Sequence, residues 1–131
     1  MILLDTHIWL NWLILGEGAL PPGIRNAIVT ADRIGVSAIS CFEVTMLAGR
    51  GRIELPCETD AWLIKALIPS GIESLPVTCE ISHRAVLLPE HHKDPADRLI
   101  IATALHHGAR LASVDGMFAS YSELTGCLLN Q

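Results

Sequence analysis

The chain has 131 residues, 50% hydrophobic and 18% charged, which excludes a disordered segment and is long enough for one core that needs no metal or disulfide staple. Its 9 Lys and Arg against 14 Asp and Glu give a net charge of −5, and Lys65 and Lys93 are the only lysines. That balance excludes binding to nucleic acid through a broad basic face, so a site for phosphates in this chain must first recruit cations.

Mean hydropathy is positive (+0.42), yet no apolar run reaches the roughly 18 residues of a membrane-spanning helix. Asp5, His7 and Asn11 interrupt the first such run, and Pro89 ends the one over residues 85–88. The N-terminus lacks the basic region and small-residue cleavage site of a signal peptide, so a cytoplasmic location without a membrane partner is expected. Cys41, Cys57, Cys79 and Cys127 show no C-x-x-C spacing and read as reduced, buried thiols.

Residues 1–4 form a wholly apolar run that stops at Asp5, the pattern of a strand buried on both faces. Thr6 is placed to cap a following helix, in which Ile8, Trp9, Trp12 and Leu13 recur at helical spacing until Gly16 and Gly18. Pro21 and Pro22 open a second helix to about residue 31, and residues 34–38 read as a second strand. Ser40 begins a third helix over residues 41–48, broken at Gly49 and Gly51, and a fourth covers residues 59–68. Residues 72–77 suit a strand that Pro76 makes brief or places at an edge. A helix over 78–88 and a loop over 89–94 lead to a long helix over 95–107 closed by Gly108. Residues 110–114 give the last clear strand, followed by the Asp115-Gly116 turn, a short helical turn and a possible strand at 126–129. Short apolar strands alternating with helices predict a single α/β domain over residues 1–131, with a mainly parallel sheet covered on both faces.

The six aspartates are unevenly placed: Asp5 ends the first strand, Asp97 opens the longest helix and Asp115 ends the last clear strand, while Glu43 lies in the first turn after the second strand. In parallel sheets the carboxyl ends of strands share one edge, where ligands bind, so the four carboxylates should face one cleft. Each also has a purely structural explanation. Ser40 to Glu43 reads as a capping box, Asp94 suits an N-cap before Pro95, and Asp115-Gly116 is a turn signal. Gathered together, however, like charges within about 4–6 Å oppose one another's ionisation. A divalent ion reverses that sign, and hard oxygen ligands suit Mg²⁺ or Mn²⁺, which activate water and hold a phosphodiester during in-line displacement.

The residues Leu3-Leu4-Asp5-Thr6-His7, Ser40 with Phe42-Glu43, Asp94-Pro95-Ala96-Asp97-Arg98 with Leu99 to Ala102, and Ser113-Val114-Asp115 before Phe118 occur in an order that resembles the PIN domain. Within that family they are most similar to the VapC-type toxin ribonucleases of bacterial toxin-antitoxin pairs. The resemblance spans nearly the whole chain and rests on the order of the motifs, none of which is specific alone. It implies a three-layer α/β/α fold and a metal-dependent endoribonuclease in which Asp5, Glu43, Asp97 and Asp115 bind one or two Mg²⁺ or Mn²⁺ ions. It further implies that Thr6 and Ser113 orient those acids or a water, Ser113 standing where the family usually has Thr. Asp94 belongs to an Asp-Pro-x-Asp-Arg form in which it ligates metal, caps the helix or does both, and Arg98 pairs with Asp94 or touches a phosphate. The expected partners are an RNA substrate, a cognate antitoxin that occupies the acidic groove, and a second copy of the chain in a homodimer.

Other groups are less informative. His91-His92 and His106-His107 are adjacent pairs whose side chains diverge by about 100° on a helix, so a zinc site is not expected from them, although His7 is near enough to Asp5 to approach the cleft. Arg50 and Arg52 are candidates for RNA contact, as is Arg98, with a solvated face as the alternative. Trp9, Trp12 and Trp62 read as core. Neither a Walker loop, a dinucleotide fingerprint nor a G-x-S-x-G elbow occurs. A dehalogenase-like phosphatase would need Asp where His7 stands, and a receiver domain would need a lysine late in the chain, where none follows Lys93. The reading that competes with a nuclease is a non-catalytic module whose acidic pocket receives a basic protein partner.

Overall fold

A computed structural model describes residues 1–91 and 93–131; the His91-His92 pair therefore lies partly outside the described residues. Five strands, β1 (Ile2–Leu4), β2 (Ile34–Ser37), β3 (Ile72–Leu75), β4 (Arg110–Ala112) and β5 (Leu128–Leu129), form one sheet of order β3-β2-β1-β4-β5. Every pairing is parallel, with Leu4 opposite Val36 on one side and Ala112 on the other. Among the described residues six α-helices flank it: α1 (Thr6–Leu15), α2 (Pro22–Thr30), α3 (Ala38–Gly49), α4 (Thr59–Lys65), α5 (Cys79–Leu87) and α6 (Pro95–His107).

The pleat of β1 divides the core into two layers, because successive side chains of a strand point to opposite faces. Ile2 and Leu4 pack with Ile8 and Trp9 of α1, Ile24 of α2, Val44 of α3 and Trp62 of α4. Leu3 joins Leu111 and the α5 and α6 residues Ile81, Ile100 and Ile101, with Phe118 closing that side. The result is the expected α/β/α arrangement, with β1 buried on both faces and β3 at an edge, where Pro76 ends it.

The chain runs outward from β1 to β2 and β3, then returns to the opposite side of β1 for β4 and β5. The strand order thus reverses between β1 and β4, and their carboxyl ends open a crevice of the kind in which parallel sheets bind ligands. Asp5 leaves β1 at that crevice, its N–H donating to the Ala112 carbonyl at 3.0 Å.

Several boundaries differ from expectation. Helix α3 begins at Ala38, three residues early, with Ser37 as its cap: the Ser37 hydroxyl accepts from the Ile39 N–H at 3.3 Å. Ser40 therefore lies inside the helix, and the Ser40–Glu43 capping box does not form. Asp5, rather than Thr6, caps α1, its carboxylate accepting from the Ile8 N–H at 2.8 Å. Helix α4 stops at Lys65, and a short 3-10 turn over Ile68–Ser70 follows because Pro69 has no N–H with which to continue an α-helix. The long helix α6 keeps both expected ends, Asp94 as cap and Gly108 in the left-handed region at φ 60°. None of the four thiols is fully buried, and Cys79 is exposed; all four are free. Among the described residues no helix is long and apolar enough to cross a membrane.

Candidate active site

The crevice beyond β1 and β4 is a cleft of about 290 Å³ lined by Asp5, Thr6, His7, Asn11, Glu43, Asp94, Asp97, Val114 and Asp115. All four acids of the expected quartet reach it, each from a different element: Asp5 from the end of β1, Glu43 from α3, Asp97 from the first turn of α6 and Asp115 from the turn after β4. Asp94 adds a fifth carboxylate. It also caps α6, accepting from the Ala96 N–H at 3.0 Å, so its role as a cap is settled by geometry while its carboxylate still faces the cleft.

Buried hydroxyls hold the acids in place. The Thr6 hydroxyl donates to Glu43 Oε1 at 2.5 Å and lies 2.8 Å from the Ser40 hydroxyl. A hydroxyl has one proton, so with that proton on the carboxylate Thr6 accepts from Ser40, giving a relay Ser40 to Thr6 to Glu43 across residues 34 and 37 apart in sequence. Ser113, fully buried, accepts the Asp115 N–H at 3.1 Å and hydrogen-bonds the Asp5 side chain, linking the carboxyl ends of β4 and β1. The Asp115 carboxylate accepts from the Met117 N–H at 2.9 Å, which caps the 3-10 turn Gly116–Ser120.

The electrostatics of Asp5 and Glu43 are set first by burial. Burial pushes the Asp5 carboxyl above its ordinary range, against the hydrogen bonds from Ser113 and Ile8, and the charge of Asp115 pushes in the same direction. Glu43 is likewise raised, chiefly by burial, with Asp94 and Asp5 adding to the shift and the Thr6 hydroxyl opposing it. Among the described residues His7 is the one basic side chain in the lining, and it opposes both shifts. Among the described residues no three His, Cys, Asp or Glu side chains are arranged to hold an ion by themselves.

Arg98 has a structural role that its sequence neighbours do not announce. Its guanidinium donates to the carbonyls of Val86, Leu88 and Pro89 at 3.1, 2.7 and 2.9 Å, where α5 ends and its last carbonyls lack helical partners. It thereby ties the end of α5 to the first turn of α6 and sets the position of Asp94 and Asp97. Arg50 and Arg52 are exposed beyond the far end of α3, about 10 Å along the axis from Glu43 at 1.5 Å per residue, and do not line the cleft. His106 and His107 end α6, with His106 3.9 Å from Glu80. Sequence reasoning missed two residues. Ser40 reads as a cap and is instead the buried end of the hydroxyl relay. Asn11, which reads as a break in an apolar run, lines the cleft four residues after His7; that i, i+4 spacing on a helix starting at Thr6 was the available signal.

A five-stranded parallel sheet with acids gathered at the reversal of strand order defines the class. Residues 2–124 match the PIN domain. The chain belongs to the PIN-domain family, in the branch that holds the VapC ribonucleases. It is 36% identical over 121 residues to Ribonuclease VapC22 of Mycobacterium tuberculosis (strain ATCC 25618 / H37Rv), a span that covers 92% of this chain and 91% of that protein. Among solved structures the fold is shared with VapBC2 from Rickettsia felis bound to a DNA fragment from its promoter (TM-score 0.68, 18% identity, 98% of each chain). It is shared also with a toxin-antitoxin complex from Klebsiella pneumoniae (TM-score 0.67, 19% identity, 98% of this chain and 96% of that one). FitAcB from Neisseria gonorrhoeae is similar in the same way (TM-score 0.64, 21% identity, 99% and 97%).

Proposed function

We propose that the chain is a cation-dependent endoribonuclease of the VapC type, acting in the cytoplasm as the toxin of a two-protein pair. The observation that carries this reading is the convergence of Asp5, Glu43, Asp97 and Asp115 on one cleft; the 36% identical ribonuclease supports it. Mg²⁺ or Mn²⁺ fits the donor set. Every acid offers hard oxygens, the lining holds no Lys or Arg among the described residues, and Asp5 and Glu43 are raised chiefly by burial, with neighbouring acids adding to the shift, a cost that a bound cation offsets. The lack of a ready-made cage is compatible with Mg²⁺, which usually keeps several waters and takes one or two carboxylates together with substrate phosphates.

Asp5, Glu43, Asp97 and Asp115 would hold the ion or ions, which when bound supply Lewis-acid polarisation and a water of lowered pKa. The protein's own share is positioning. Thr6 fixes the rotamer of Glu43, and Ser113 fixes Asp5 relative to Asp115. The α1 cap holds Asp5 at the mouth of β1, and Arg98 seats the start of α6. Hydrolysis then forms one bond from a water oxygen to phosphorus and breaks the opposite P–O bond, the water's proton leaving to solvent or to the departing oxygen. In this reading the antitoxin occupies the same acidic groove, and exposed apolar side chains such as Ile64, Val86 and Leu87 supply surface for it and for a homodimer.

Purified full-length protein should cut single-stranded RNA with Mn²⁺ or Mg²⁺ and stop when EDTA is added, the products being resolved by gel. No cleavage with either ion, by protein that still binds a basic partner, would establish the non-catalytic module instead. Thr6→Val keeps shape and removes the proton given to Glu43. Cleavage should fall by about 10- to 100-fold, the usual effect of losing a group that orients a ligand. A rate within twofold of the parent would show that Glu43 needs no such support.

A further inference from the structure

We propose that Asn11 is a specificity-determining residue of the cleft, contacting the base of the RNA nucleotide next to the cut bond. The inference deepens the ribonuclease reading and rests on it. An RNA entering the cleft brings phosphate oxygens, which accept hydrogen bonds, and base edges, which donate and accept them. In the cation-bound site of that reading the carboxylates of Asp5, Glu43, Asp97 and Asp115 can only accept, Asp94 accepts at the α6 cap, and the hydroxyl proton of Thr6 is committed to Glu43. Among the described residues, side-chain donors from the lining therefore come from two residues of α1, His7 and Asn11.

Their places differ. His7 lies in the first turn of α1 and acts electrostatically on both Asp5 and Glu43, so it sits beside the acids. Asn11 is on the same face one turn further, about 6 Å along the axis from His7. It is half-buried, and among the described residues its side-chain amide has no hydrogen-bond partner. A carboxamide presents a donor beside an acceptor, the pattern that matches a base edge in bidentate fashion. Val114, the single apolar residue of the lining among the described residues and half-exposed, offers the base a surface to rest on. Close to the acids the groups suit phosphate; one turn away they suit a base.

The test uses full-length protein with Mn²⁺ and a set of short single-stranded RNAs that differ in one nucleotide beside the cut bond. The parent should prefer some bases over others, and Asn11→Ala should reduce the ratio of kcat/KM between best and worst substrates by about tenfold, the scale of a lost bidentate contact. Asn11→Gln, which keeps the carboxamide, should recover part of that ratio. Binding of the same RNAs without turnover, read by fluorescence anisotropy in an Asp97→Asn background, should show the preference and lose it when Asn11→Ala is added. Alanine is favoured in a helix interior, so the variant should fold, and its melting curve checks this. Unchanged ratios in Asn11→Ala would overturn the assignment while leaving the nuclease reading intact. So would an effect confined to retention of a co-expressed antitoxin, which would give Asn11 to the protein partner. A parent that cuts no RNA would overturn the nuclease reading and this inference together.

Discussion

Asp5→Asn should abolish RNA cleavage, by about a thousandfold or more if the lost contact contributes several kcal/mol to the transition state at roughly 1.4 kcal/mol per tenfold. The same variant should melt at a higher temperature than the parent when both are free of metal. The two effects have one cause. Burial raises the Asp5 carboxyl above its ordinary value near 3.8, and Asp115 raises it further, so the folded state binds that proton more tightly than the unfolded chain does. The associated stability is fully present below the unfolded value and is lost as pH rises through the folded one. Above that folded value the parent therefore carries an ionised, buried acid that destabilises it. Asparagine keeps an oxygen to accept the Ile8 N–H and is as good an N-cap as aspartate, so the cap survives while the charge goes.

The stability difference should shrink as pH falls through the raised folded value of Asp5, below which its carboxyl is protonated and nearly equivalent to Asn. Adding Mn²⁺ should raise the melting temperature of the parent by mass action and leave the variant almost unmoved. Differential scanning fluorimetry across pH, with and without the ion, measures all three. A metal-free variant that melts below the parent at pH 7 would show that Asp5 is a net stabilising charge and that its crowding is not what a cation relieves.

What the sequence reveals and what it hides follow from the range of the interactions. Helix α6 is legible from end to end because its signals are local: Asp94 caps it, Pro95 opens it and Gly108 turns out of it. The strands are legible because each is short, apolar and stopped by a polar or turn residue, and that is also why Asp5 and Asp115 can be placed at one edge before any coordinates exist. Ser37 and Ser40 show the limit. Both are acceptable caps for α3, and the choice between them depends on Thr6, a residue 34 positions from Ser40, whose hydroxyl occupies the latter inside the fold. Arg98 shows the same limit in another form. Its charge suggests a carboxylate or phosphate partner, and no local signal shows that tertiary folding also brings three backbone carbonyls beneath it, at a helix end where carbonyls lack helical partners.

Trp9→Ala should cost about 3–5 kcal/mol of stability, the usual range for emptying a buried aromatic site, and lower the melting temperature by about 10–20 °C in a chain of this size. Trp9 is fully buried, its ring centroid lies 5.1 Å from that of Trp62 at a tilt of 53°, and its indole N–H donates to the Ala66 carbonyl at 3.0 Å. Ala66 follows the last turn of α4, so this one side chain fastens α4 to α1 while filling the layer under β1. Alanine would leave both a cavity and an unpartnered carbonyl. Trp9→Phe separates the two, since it keeps most of the ring volume but not the donor; its cost should be about 1–3 kcal/mol, the range for a buried polar group left unsatisfied. Urea titrations of the three proteins provide the comparison. A Phe variant as unstable as the Ala variant would locate the effect in the hydrogen bond, and an Ala variant within about 1 kcal/mol of the parent would show that α1 is anchored elsewhere. The site depends on this anchoring, because α1 begins with the residues it must hold still: Asp5 at its cap, Thr6 against Glu43 and, one turn on, Asn11 at the wall of the cleft. Loosening Trp9 should therefore reduce cleavage even at temperatures where the Ala variant remains folded.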